Sequence, residues 1–153
     1  MRGLPGITLG VAAALLSGAG CAGSNVSREA FAADANSVCR GYNAKIDAKP
    51  RPGVLEQFQD YTDEVLPLMR DTRDRIGDLE RPDELERDVE QLLARWDDII
   101  DAAEGLRQGA AAGSDIEIVI GRRKMGLAEL QADSAARAAG VPDCVGFNPF
   151  SRR

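Results

Sequence analysis

Between residues 85 and 106 the larger apolar side chains fall at one spacing. Leu85, Val89, Leu92, Trp96, Ile99, Ala103 and Leu106 follow one another at alternating steps of four and three. On a helix of 3.6 residues per turn this spacing draws one narrow stripe along one side. Such a seam has to be buried against other helices, in the manner of an antiparallel bundle. The rest of the chain must therefore supply helical partners, and its composition suits that. Of 153 residues 44% are hydrophobic, but 23 are Ala; aromatics are 5% and charged residues 29%. An Ala-rich, aromatic-poor chain favours helices over a β-sandwich, and the length fits one domain.

Three further segments carry helical periodicity. Ser27 is placed to cap a first helix over 28–48, with a stripe of Phe31, Ala35, Val38, Tyr42 and Ile46 and with Cys39 beside it. Lys49-Pro50-Arg51-Pro52-Gly53 reads as a turn. A second helix is expected over 54–79, on Val54, Phe58, Tyr61, Val65, Leu68, Thr72, Ile76 and Leu79. Pro67 lies inside it; the stripe stays in phase across Pro67, which predicts one helix kinked near 63–67 rather than two helices. Pro82 and Asp83 suit the first turn of the third helix, which residues 109–113 end.

Ser114-Asp115-Ile116-Glu117 matches a capping box and predicts a fourth helix to about residue 139. Its stripe, Ile116, Ile120, Arg123, Leu127, Leu130, Ser134 and Ala138, is weaker. Residues 116–120 are β-branched at four of five positions, so a short strand is the alternative there. Gly140 and Pro142 mark the end. Residues 145–153 have no period and are expected to fray, although Phe147 and Phe150 would favour contact. The expected fold is all-α: an up-down-up-down four-helix bundle over 28–144.

The N-terminus has a different character. Arg2 precedes an apolar run from about Ile7 to Leu16, and Ser17-Gly18-Ala19-Gly20 are all small. The run is roughly half the ~20 residues that span a bilayer, so 1–20 reads as an export signal rather than a permanent span. Gly18-Ala19-Gly20-Cys21 resembles the processing site of bacterial lipoproteins. That resemblance implies that Cys21 becomes the first residue of the mature chain and is acylated, which would anchor it to the membrane. Gly18 stands where that family usually has Leu or another aliphatic residue. The same small residues suit ordinary signal peptidase, which would leave Cys21 a free thiol, and a buried N-terminal helix is the remaining alternative. Residues 21–27 would form a short tether.

With Cys21 acylated, Cys39 and Cys144 are left as a pair in an oxidising compartment, which is the reading for a disulfide. A redox or metal role is the alternative, although neither cysteine has a nearby CxxC partner or a His. In a plain bundle Cys144 would sit too low to reach Cys39. The bridge therefore predicts that the 48–53 turn climbs about 15 Å and that the residues after Gly140 fold back upward. Cα atoms more than about 7 Å apart would rule it out.

The mature layout also resembles small exported or lipid-anchored helical proteins of actinobacteria. The matching pieces are Val38-Cys39-Arg40, Leu66-Pro67-Leu68, Pro82-Asp83 and Gly140-Val141-Pro142-Asp143-Cys144. These motifs are structural, and the resemblance implies no activity and no functional residue.

Candidate chemistry is sparse. The chain has no His, which removes the commonest general base and metal ligand. Its formal charge of −6 becomes −7 once residues 1–20 and their Arg2 are removed, which argues against nucleic acid as a partner. Asp97, Asp98 and Asp101 lie within about one turn and could bind Ca2+ or share a proton, but they flank a strong stripe and read better as a solvated face. Arg122-Arg123-Lys124 is the one compact basic cluster; it suits anionic lipid heads or an acidic polymer, or else a solvated face with Arg123 snorkelling or paired to a buried acid. The expected function is therefore a non-enzymatic, lipid-anchored interaction or scaffold module of the cell envelope, with no cofactor, a membrane contact through its anchor and an envelope protein as partner. A carrier of a small apolar ligand or lipid in an inter-helix groove is the alternative.

Overall fold

Helix α1 (Arg28–Asp47) starts where Ser27 Oγ accepts a hydrogen bond from the Ala30 N–H at 3.1 Å. This satisfies one of the N–H groups that a helix start leaves open. Glu29 sits in the first turn, where a hydrogen bond from its own backbone N–H, helped by one from Ser27, holds its carboxyl below the ordinary value. The buried face is the expected one: Phe31, Ala35, Val38, Tyr42 and Ile46, with Cys39. The structure, a computed structural model, describes residues 26–54 and 56–151. The export signal and Cys21, with most of the tether, lie outside the described residues.

Helix α2 (Glu56–Gly77) runs unbroken through Pro67, as the in-phase stripe requires. Pro67 faces solvent. The helix begins later than expected, and Val54 is left 53% exposed before it. Leu66 and Met69 join Tyr61, Val65 and Ile76 in the core, whereas Leu68 is only partly buried. Two buried polar side chains, Thr62 and Thr72, satisfy themselves by donating to the Phe58 and Leu68 carbonyls one turn back.

After Pro82 a 3-10 turn, Asp83–Leu85, leads into α3 (Glu86–Ala111). Every residue of the four-three stripe is at most 1% exposed. Ion pairs fix its direction against α2: Asp63 meets Arg107, Arg70 meets Glu104 and Arg73 meets Asp97. Rising numbers on one helix match falling numbers on the other, so the two are antiparallel.

The α3–α4 connection is short and closed by hydrogen bonds. Gly113 takes φ +64°, and the Ser114 N–H reaches back to the Gly109 carbonyl at 2.9 Å, closing the helix end. Ser114 Oγ then accepts from the Glu117 N–H at 3.4 Å and caps α4 (Asp115–Ala138). Half of the expected capping box is used, because the Ser114 N–H is already committed to Gly109. Residues 116–120 are helical, which removes the strand alternative.

The face of α4 is the main correction to the sequence reading. Its buried residues are Ile118, Gly121, Met125, Ala128, Ala132, Ala135 and Ala136. The expected stripe points outward instead. The cause is the closeness of α3. A Cβ on Gly109 would come within 2.8 Å of the Glu117 Cβ, and one on Gly121 within 3.3 Å of both the Ala102 carbonyl oxygen and the Leu106 Cβ. Helices this close leave room for Gly and Ala between them and none for a row of Ile and Leu.

The C-terminal segment is the second correction. It does not fray. Gly140, at φ +76°, turns the chain back, a 3-10 turn follows at Pro142–Cys144, and Cys144 is bonded to Cys39 with the Cα atoms 5.0 Å apart. The Asp143 N–H donates to Asn36 Oδ1 at 2.9 Å, its carboxylate accepts from Arg40 at 2.7 Å and its carbonyl accepts from Asn43 at 2.9 Å. Phe147 then enters the core, stacked on Trp96 at 4.1 Å and Tyr42 at 4.9 Å. On the other side the Gly146 N–H donates to Asp133 and Asn148 donates to Glu129. Residues 142–151 thus lie between α1 and α4, and the folded unit extends past the expected limit at 144. Of the two adjustments expected of a Cys39–Cys144 bridge, the chain does fold back after Gly140. Lys49, just past the end of α1, pairs with Glu64 about two turns into α2, the direction expected of a climbing 48–53 turn.

Candidate functional site

Because α3 and α4 approach through small residues, the solvent side of their junction is a groove of about 590 Å3. Ala102 and Gly105 of α3 and Gly121 and Ala128 of α4 line its small-residue base. Asp98 and Asp101 stand on the α3 side, and Glu117, Ile120, Lys124 and Leu127 on the α4 side. The groove therefore has an acidic α3 wall facing an α4 wall that is apolar with one acid, Glu117, and one base, Lys124.

Next to it lies the outer face of α4. Ile116, Val119, Ile120, Leu127 and Leu130 are between 47% and 73% exposed. Large aliphatic groups gathered on one helix face, while the opposite face buries mostly Ala and Gly, reverse the usual arrangement of a surface helix. The periodic signal of this face was visible in the sequence. What the sequence did not show was that α3 and the C-terminal segment already occupy the core.

The other candidates fall as follows. Asp97 is taken by Arg73, which donates Nε to Oδ1 at 2.8 Å and Nη2 to Oδ2 at 2.9 Å. This pairing, foremost, raises the Arg73 pKa above its ordinary value. Asp98 accepts from Arg95 at 2.8 Å, and Asp101 lines the groove. The three carboxylates do not converge, and among the described residues no group of three or more Cys, Asp or Glu is placed to hold a metal ion. Arg122, Arg123 and Lys124 are all exposed, and among the described residues none of them is in an ion pair, so no buried acid faces Arg123. Cys39 and Cys144 are buried in their disulfide, which leaves neither as a free thiol. No helix among the described residues is long and apolar enough to cross a membrane. A smaller hollow of about 250 Å3 lies between Arg51, Phe58, Arg122 and Phe150. No protein-family model matches the chain, and neither the curated proteins nor the solved structures compared with it give a match.

Proposed function

We propose that the chain is a lipid-anchored helical interaction or scaffold module of the cell envelope, exported and held on the outer face of the cytoplasmic membrane through an acylated Cys21. It works by binding and carries out no reaction. The observation that carries this reading is the outward placing of the α4 aliphatics. Contiguous exposed apolar groups on a soluble domain are unfavourable in water and mark a surface that something else covers. The N-terminal Gly18-Ala19-Gly20-Cys21 supplies the reason for placing that surface at the envelope.

Mass spectrometry of the protein recovered from a membrane fraction tests the anchor. The expected product begins at Cys21 and carries acyl chains; a chain beginning elsewhere, or an unmodified Cys21, contradicts it. A second reading, a carrier of a small apolar ligand, draws support from the volume of the α3–α4 groove. Gly105→Leu would fill it, since a Cβ at Gly105 has no heavy atom within 4 Å. A stoichiometric apolar ligand seen by native mass spectrometry, and lost in that variant, would favour the carrier.

A further inference from the structure

The outward arc of α4 spans about 100°, from Val119 on one edge to Ile120 on the other. Ile116, Leu127 and Leu130 lie between them, with Arg123 near the middle, all of them exposed. The chain holds 25 acidic residues, yet none falls on this arc. Glu117 is turned to the α3 side, beside the groove. Glu129 and Asp133 are turned to the other side, where they accept hydrogen bonds from Asn148, Ser151 and Gly146. An acidic protein thus carries one face that is aliphatic and basic; Lys124 borders it on one side, while on the other the exposed Asp115 and the partly buried Asp133 lie nearer its edge than Arg122 does.

We propose that this face seats on an anionic bilayer surface, with the aliphatic side chains entering the headgroup boundary and Arg122, Arg123 and Lys124 meeting lipid phosphates. The inference rests on the tethered-module reading and names what covers the α4 face. Charge complementarity is the first argument: aliphatic and basic groups on one helix face are both stabilised at an anionic interface. The path of the chain is the second. Arg28, the first residue of α1, donates to the Ala138 carbonyl at the end of α4 at 2.9 Å. The chain therefore enters α1 beside the C-terminal end of this helix. Seven residues reach at most about 25 Å, so an anchored Cys21 would keep that end of α4 close to the bilayer. A second copy paired antiparallel about a two-fold axis at Arg123 would set Arg123 against Arg123.

The test uses the full chain with vesicles whose brominated acyl chains quench nearby tryptophan. Leu130→Trp reports on the α4 face and Asp60→Trp on exposed α2; the wild type, whose one tryptophan is the buried Trp96, gives the baseline. With phosphatidylglycerol in the vesicles, Leu130→Trp emission should be quenched and blue-shifted while Asp60→Trp stays at baseline. The quenching should be lost in phosphatidylcholine alone, in high salt and in an R122E/R123E/K124E background. Baseline emission from Leu130→Trp overturns the proposal, as does equal quenching at both positions or quenching indifferent to headgroup charge, salt and the charge reversal. An acylated Cys21 together with baseline emission at Leu130→Trp overturns this inference and leaves the anchored module standing. A protein cross-link at Leu130 without lipid quenching assigns the face to a protein partner and likewise overturns it.

Discussion

Gly109 and Gly121 set the distance between α3 and α4. Their missing side chains are the space through which Glu117, Ala102 and Leu106 approach. Gly109→Ala should destabilise the fold by about 1–3 kcal/mol, because the new methyl meets a Cβ rather than the end of a flexible side chain. Gly126 gives the opposite case. It lies in α4 at an ordinary helical φ, and a Cβ there meets no heavy atom within 4 Å. Gly126→Ala should stabilise by about 0.5–1 kcal/mol through the lower entropy of the unfolded chain. Urea titrations of the two variants against the parent would show midpoints moving in opposite directions. Phe147 is the other decisive residue. It is 2% exposed, stacked on Trp96 and Tyr42, and its carbonyl accepts from the Tyr42 hydroxyl at 2.7 Å. Phe147→Ala should cost about 3–5 kcal/mol and alter the near-ultraviolet signal of Trp96. A cost below about 0.5 kcal/mol would mean that the C-terminal segment is not docked as described.

At the scale of elements, the helices whose periodic residues are large and continuous were legible from their own sequence. The α3 stripe is buried throughout, and α1 buries the five residues that its spacing picks out. Ser27 and Ser114 cap the helices they precede. The face of α4 was not legible, because periodicity tells which residues share a side and not whether that side is inside. The inward side of α4 is chosen by steric fit to α3, a property of two helices together. The C-terminal segment was missed for a related reason. Its aromatic side chains have no period, and Trp96 and Tyr42, the partners of Phe147, lie 51 and 105 residues back in the chain. This account of α4 is testable by substitution. Leu127→Gln and Leu130→Gln should change stability by less than about 0.5 kcal/mol, as exposed positions do. Met125→Ala, on the buried face, should cost about 2–5 kcal/mol. If the Gln variants were the costly ones, the helix would be rotated from the position described. In the candidate site, the groove walls from Asp98 to Leu127 likewise emerge only from the pairing of α3 with α4, whereas the basic cluster beside them could be read directly.

For the whole molecule, the Cys39–Cys144 bond closes a span of 105 residues and ties α1 to the segment that lies between it and α4. A loop of that size corresponds to about 4.7 kcal/mol in the chain-entropy treatment of the unfolded state. A C39A/C144A double variant should lose about 2–5 kcal/mol in denaturant titration, with the C-terminal segment exchanging its amide protons faster than α3. The bond holds α1 to a framework in which α2, α3 and α4 pack in sequence, and that framework leaves one helix with its aliphatic side exposed. The central claim is that this exposed side is the working surface of the molecule at the envelope. Site-specific photo-cross-linking in intact cells tests it most directly, with a diazirine amino acid at Leu127 on α4 and, separately, at Asp60 on α2. The account predicts adducts with an envelope component at position 127 and none at position 60. No adduct at 127, or the same adducts at both positions, would contradict it.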